Sequence, residues 1–577
     1  MIPALSRFLL PSALLSLGFS AAMAAAALGP APKDDNDPLK AMQAEAIASK
    51  AEPRERPYHF GSQGQGNEFS NHTSHTNRLV PVFTLGKTVD LKSITGANSS
   101  YRNAERLREL YGQLPQHTLD PDAEYGDQAD LYRLQKEAVE RGAKQLFVVL
   151  FDGLDWETLN AAAIVKSGDP NAGAALLAGE LGPAYQADGS LAVGAVVTSP
   201  THSGAKLDVD RQSVAFPDNV LRGGYDPRFA GRGPLQVPEL DAPGYLRGQS
   251  ATPSELAQIH DHGGVPHAYT DSSCSAAEIA AGVKSYNSSV NVAPDGSFMT
   301  PLFHDLQRDG WKVGTVTSVP ISHASPAAFY ARNVSRDDYQ DLTRDMLGLP
   351  SIATERGAPE VPGLDVVIGT GFGQTGNLQA LQRRQGSNAV AGNVYLTDDD
   401  LAAIDTQHGG PYVVAQRTEG ANGNDVLNAA AERAAAQGHR LFGFFGTEYG
   451  HLPYQTANGG YDPAPGISGE AEQYASADIA ENPTLTEMTQ AALTVLGQDP
   501  DQPFALFVEA GDVDWALHDN NLDAAIGAVF SGEEAIRAII DWVEQHSSWD
   551  DAAVIITADH GHYLVINDPE ALAGANR

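Results

Sequence analysis

The run Gln145-Leu146-Phe147-Val148-Val149-Leu150-Phe151 is almost entirely apolar and gives way at once to Asp152-Gly153. A stretch of that length, rich in β-branched and aromatic residues, reads as a strand covered on both faces, because a half-exposed strand would alternate. Shorter runs of the same kind recur at Lys312 to Thr317, Asp365 to Ile368, Leu441 to Phe445, Phe504 to Val508 and Ala553 to Thr557. Helical segments separate them. Thr484-Leu485-Thr486-Glu487 is a capping box following Pro483, and it opens an apolar stripe at Leu485, Met488, Ala492, Val495 and Leu496. Ile536, Ile539, Ile540 and Val543 form a second stripe. Buried strands alternating with amphipathic helices predict an α/β fold with a doubly wound, largely parallel central sheet flanked by helices.

The chain divides by composition. Residues 1–27 carry Arg7, the apolar run Phe8 to Phe19 and small residues through Ala27, the order of a secretory signal peptide, too short for a convincing membrane anchor. A periplasmic or secreted protein with no membrane span after cleavage is expected. Residues 28–143 read as an N-terminal arm or extension and 144–577 as the main domain. Within that domain the Arg-, Gly- and Pro-rich stretch 205–250 reads as an inserted loop or lobe.

The 73 acidic residues outnumber the 37 Lys and Arg, a formal charge of −36 that argues against a nucleic-acid-binding surface or an anionic membrane as partner. Anionic substrates would need strong local positive charge. Cys274 is the only cysteine, so a cysteine zinc cluster is excluded and any metal must be held by oxygen and imidazole.

Such ligands stand just beyond the strand ends, where an open α/β sheet places its site. Asp152 follows the first run; Glu509, Asp512, Asp514 and His518 follow Phe504 to Val508; Asp559, His560 and His562 follow Ala553 to Thr557; His323, Ser325 and Arg336 follow Lys312 to Thr317. Carboxylates and imidazoles brought together would be repulsive and poorly solvated without cations between them. Asp514 and His518 are four apart, suited to one zinc if helical, although a pair so spaced is more often a solvated helix face. Asp271-Ser272 opens a small-residue helix, where unpaired N–H groups favour an anion; alone, either residue reads as an N-cap.

Together these residues resemble the alkaline phosphatases. The motifs are Thr270-Asp271-Ser272-x-x-Ser275-Ala276 with Gly282-Val283-Lys284-x-Tyr286-Asn287, and Val508-Glu509-Ala510-Gly511-Asp512-Val513-Asp514-x-x-x-His518. Thr557-Ala558-Asp559-His560-Gly561-His562 and His323-Ala324-Ser325-Pro326-Ala327-Ala328 with Arg336 complete the set. The resemblance runs from Lys144 to about His562. It implies hydrolysis of small-molecule phosphate monoesters through a phosphoserine on Ser272, two zinc ions, one magnesium ion and a homodimer. By resemblance, Asp152, Asp559 and His560 hold the zinc beside Ser272, Asp514 and His518 belong to the other zinc, and Asp152, Ser325 and Glu509 contact magnesium. Arg336 grips phosphate and Asp271 orients it, while His562 matches a supporting histidine.

Three departures stand out. His323 occupies a position that varies between Asp and His in the family; it either alters the third metal site or supports it through Glu509 or a water. Trp515 replaces a Lys or His. The family's last zinc ligand, in a His-Thr-Gly-like sequence downstream of the Asp-His motif, has no counterpart between His562 and Arg577. A C-terminally incomplete sequence, weak zinc binding and poor turnover are therefore expected, with His202 as the named substitute. The alternatives are a phosphodiesterase or sulfatase on the same fold, or a non-catalytic metal and phosphate binder.

Overall fold

The computed structural model describes residues 33, 36–49, 55–61, 69–70, 72–181, 183–232, 261 and 263–575. The leader-like segment and residues 233–250 of the proposed insertion lie outside them.

Ten strands form the central sheet: β1 (Val80–Leu85), β2 (Gly126–Asp127), β3 (Gln145–Phe151), β4 (Ala192–Val197), β5 (Lys312–Pro320), β6 (Val366–Thr370), β7 (Tyr412–Gln416), β8 (Arg440–Phe444), β9 (Phe504–Ala510) and β10 (Ala552–Ala558). Their order is β7-β8-β6-β5-β9-β3-β10-β1-β4-β2. From β7 to β10 every neighbouring pair is parallel. β3, β9 and β10 are buried at every residue, which is why each reads as an uninterrupted apolar run. The doubly wound α/β expectation holds, with β4 and β7 added: Ala192–Val197 is half-exposed and contains a glycine, and Tyr412–Gln416 lies at the sheet edge.

Helices α1 (Ser272–Ala281), α2 (Leu485–Leu496), α3 (Asp512–His518) and α4 (Leu522–His546) matter most to the site and its support. The capping box forms as expected: the Glu487 N–H donates to Thr484 Oγ1 at 3.2 Å and the Thr484 N–H to Glu487 Oε2 at 2.8 Å.

Strand register converges the polar residues. Ala558 of β10 and Ala510 of β9 both lie opposite Phe151 of β3, so Asp559 and Asp152 leave the sheet side by side. Thr317 of β5 lies opposite Glu509.

The reading of residues 28–143 as an arm or extension needs correction. β1 lies inside the sheet, antiparallel to both β10 and β4, with Val82 opposite Thr557. Leu107, Leu110, Leu131 and Leu134 belong to the main core. An antiparallel partner from a distant segment leaves no local trace in the sequence. Within 205–232, a ladder of Lys206–Asp208 with Ser213–Ala215 brings Leu207 and Val214 against Tyr286 and Val334.

Candidate active site

α1 begins at Ser272, with Asp271 as its N-cap: Asp271 Oδ1 accepts the Cys274 N–H at 3.1 Å. Asp271 Oδ2 accepts the Ser288 N–H at 2.9 Å and lies 3.3 Å from Arg336 Nη1. One carboxylate thus caps the helix and orients the guanidinium. Ser272 is 1 % exposed, its Oγ 3.4 Å from Asp152 Oδ1 and 3.2 Å from His560 Nε2.

Beside Ser272, Asp152, Asp559 and His560 offer ligand atoms within 4.8 Å of one another, a group that could hold a metal ion. His560 Nε2 lies 3.1 Å from Asp152 Oδ1 and 3.4 Å from Asp559 Oδ2. Asp559 Oδ1 accepts the N–H groups of Gly153 and His560, both at 2.9 Å. Gly153 has φ +77°, and a Cβ there would stand 3.0 Å from the His562 ring, so the turn after Asp152 needs glycine.

A second such group comprises His75, Asp514, His560 and His562. Asp514 Oδ1 lies 2.7 Å from His562 Nε2, 3.3 Å from His518 Nε2 and 3.6 Å from His75 Nε2. The Asp514 and His518 spacing falls on a helix, as anticipated. His75 was not among the expected residues. It is held by a two-residue antiparallel ladder that sets His75 opposite His562, by its Nδ1 2.9 Å from the Thr270 carbonyl oxygen, and by stacking on His560 at 3.6 Å between ring centres. His75 therefore stands where an additional imidazole was thought absent. His202 does not: it stacks on Phe216, with Nε2 3.3 Å from Arg222 Nη1. The usable signal was His75-Thr76 followed by the alternating Leu79 to Phe83, a His-Thr pair entering a strand, on the upstream side of the core.

Glu509 accepts the Thr317 hydroxyl through Oε2. Asp152 Oδ2, Asp559 Oδ2, Glu509 Oε1, Ser325 Oγ and His323 Nδ1 are buried without hydrogen-bond partners among the described residues. Asp512 turns away, taking the Ser318 hydroxyl at 2.7 Å. His323 Nε2 lies 3.4 Å from Arg336 Nη2, and its ring is 5.4 Å from that of Trp515.

Electrostatics point the same way. Burial, with Asp514, Asp559 and Glu509 nearby, raises Asp152 well above the carboxylate range; burial also pushes Asp559 to about 7 and Glu509 to about 8. Burial lowers His75 and His560 well below the usual imidazole value and brings His323 to about 3. Asp514 goes the other way: burial would raise it, but His518, His562 and His560 together hold it low. Carboxyl groups that burial keeps from ionising without a countercharge, facing neutral imidazoles and leaving ligand oxygens orphaned, fit a cluster that holds cations.

A family model described as alkaline phosphatase matches residues 255–574, more than half of the chain. Among curated proteins, alkaline phosphatase H of Pseudomonas aeruginosa is 28 % identical over 347 residues, covering 58 % of this chain and 66 % of that protein. Alkaline phosphatase 4 of Bacillus subtilis is 25 % identical over 291 residues, covering 50 % and 49 %. The chain thus spans about half to just under two thirds of the length of these relatives. Among solved structures, a cold-active alkaline phosphatase from a Shewanella species aligns with a TM-score of 0.40 at 17 % identity, covering 72 % of this chain and 68 % of that one. Asp152 and His75 lie upstream of the family match.

Proposed function

This chain belongs to the alkaline phosphatase family, and from that premise we propose that it hydrolyses phosphate monoesters by way of a phosphoserine at Ser272. The observation that carries the reading is the placement of Ser272 Oγ at a buried helix start, beside Asp152 and His560, in the site that also contains the Arg336 fork oriented by Asp271.

Asp152, Asp559 and His560 would hold the cation next to Ser272; Asp514, His518 and His75 would hold the second, with His562 supporting Asp514. Their nitrogen and carboxylate donors suit zinc, whereas Asp152, Glu509 and Ser325 form an oxygen-rich set that suits magnesium, modified by His323. Bound cations would supply the positive charge that favours the Ser272 alkoxide and offsets the charge of phosphate.

The protein's own groups do the rest. The planar Arg336 guanidinium pairs two non-bridging phosphate oxygens, and Asp271 keeps it in place. The unpaired N–H groups of α1 face the incoming dianion. Ser272 Oγ attacks phosphorus as the bond to the alcohol oxygen breaks and the alcohol leaves with a proton. Water then attacks the phosphoserine, returning Ser272 and releasing inorganic phosphate. Arg336 favours a monoester dianion over a diester or sulfate ester. The placement of His75 beside Asp514 supports the catalytic reading over the non-catalytic one.

Export through the leader-like segment and pairing into a homodimer complete the proposal. The first is supported by the composition of residues 1–27 and the second by family resemblance. Among the described residues no helix is long and apolar enough to cross a membrane.

The test compares rates on an aryl phosphate, a bis-aryl phosphate and an aryl sulfate, in the zinc- and magnesium-supplied protein and in Ser272→Ala. Monoester preference, with acid-trapped phosphoserine at position 272 that disappears in the variant, is expected. Equal or faster turnover of the diester or sulfate would overturn it.

A further inference from the structure

The candidate active site shares Asp514, His518, His323 and Arg336 with the lining of a cavity of about 630 Å³. His323 is only 9 % exposed and its Nδ1 has no hydrogen-bond partner among the described residues. The same cavity is lined by the carboxylates of Glu470, Glu472 and Asp519 and by Trp515, Tyr449 and Tyr454. Arg336 is the sole Arg or Lys among the described lining residues.

Two of these carboxylates are held in place. Glu472 Oε1 lies 3.2 Å from His451 Nε2, and Glu472 also takes the Tyr474 hydroxyl. Asp519 packs on the turn at Gly466, where a Cβ would fall 1.5 Å from its Oδ2. A dianionic phosphate bound at Arg336 must project its alcohol portion into this space. Negative charge there is repelled by these carboxylates, and positive charge is attracted by them and by the aromatic wall.

Resting on the phosphomonoesterase reading, we propose that Glu470, Glu472 and Asp519, with Trp515, Tyr449 and Tyr454, select monoesters whose alcohol carries a quaternary or protonated amine. Anionic alcohols, including those bearing further phosphates, are disfavoured. This goes beyond general monoester hydrolysis by assigning this part of the cavity lining to the leaving group.

The experiment measures kcat/KM for phosphocholine, its neutral isostere 3,3-dimethylbutyl phosphate and a carboxylate-bearing alkyl phosphate of equal length. The enzyme is supplied with zinc and magnesium, and wild type is compared with the E470Q/E472Q double variant. Wild type is expected to prefer the cationic over the neutral ester by about 5- to 10-fold and to place the anionic ester last, a spread that narrows with added salt. In the double variant the cationic-to-neutral ratio should fall toward one. Turnover of all three esters without preference, or a ratio unchanged in the double variant, overturns the selectivity while leaving phosphomonoesterase activity standing. Hydrolysis of no phosphate ester, aryl phosphate included, overturns both.

Discussion

His75 Nε2 lies 3.1 Å from His518 Nε2 across 443 residues of chain. The contact couples β1 to the site: the strand that fills the sheet position beside β10 is preceded, five residues earlier, by an imidazole in the group that could hold a metal ion. Sheet closure and the placement of His75 are therefore one structural event. Residues 75–85 serve both, and a break in either would disturb the other.

His75→Ala should lower zinc affinity by at least roughly 10- to 100-fold, the range seen when a supporting partner of a metal ligand is lost. Turnover should fall with it. Metal content after dialysis against a buffered zinc concentration checks this, and excess zinc should partly restore activity if the fold is intact. Wild-type zinc retention and rate in the variant would remove His75 from the ligand set.

Asp271 has two separable jobs. Asp271→Asn keeps an N-cap acceptor for the Cys274 N–H, so thermal stability should hold. The charge-assisted contact to Arg336 weakens, and the inhibition constant for inorganic phosphate should rise by roughly 3- to 10-fold, about 0.7–1.4 kcal/mol. Asp271→Ala should show the same loss of phosphate affinity plus about 1 kcal/mol of lost stability from the missing cap. Thermal melts and phosphate inhibition, measured on both variants, separate the two effects.

Removing metal should make stability fall as pH rises. Asp559 near 7 and Glu509 near 8 sit above their ordinary values because burial penalises the charged form. Between about pH 4 and those values the folded, metal-free chain binds more protons than the unfolded chain, so unfolding free energy declines with pH, by up to about 1.4 kcal/mol per unit for each group. Bound cations favour the ionised carboxylates and reverse the trend. Melts from pH 5 to 8.5, with and without chelator, should diverge toward high pH; parallel curves would count against these carboxylates as ligands.

His323→Asp should raise the affinity of the third site for magnesium, since a carboxylate suits that hard cation better than an imidazole does. The same carboxylate would face Arg336, now 3.4 Å from the imidazole, and compete with phosphate for it. A lower magnesium concentration for half-activation, together with a higher KM, is the expected pair of changes. No shift in magnesium dependence would assign His323 to holding Arg336 alone.

Much of this could be read from the linear chain. The buried strands at Gln145–Phe151, Phe504–Ala510 and Ala552–Ala558 declare themselves because burial on both faces demands continuous apolar residues. Asp152, Glu509, Asp514, Asp559 and His560 are recognisable because ligands in such a sheet gather at the carboxyl ends of its strands. The start of α1 at Ser272, with Asp271 as its cap, follows from local hydrogen-bonding chemistry. Tertiary structure alone decided that residues 75–85 join this core. Antiparallel pairing between segments hundreds of residues apart is specified by complementary faces and register, which no window of sequence contains. For the same reason His75, whose only local mark is a His-Thr pair ahead of a strand, joins the candidate site only when the ladder sets it opposite His562.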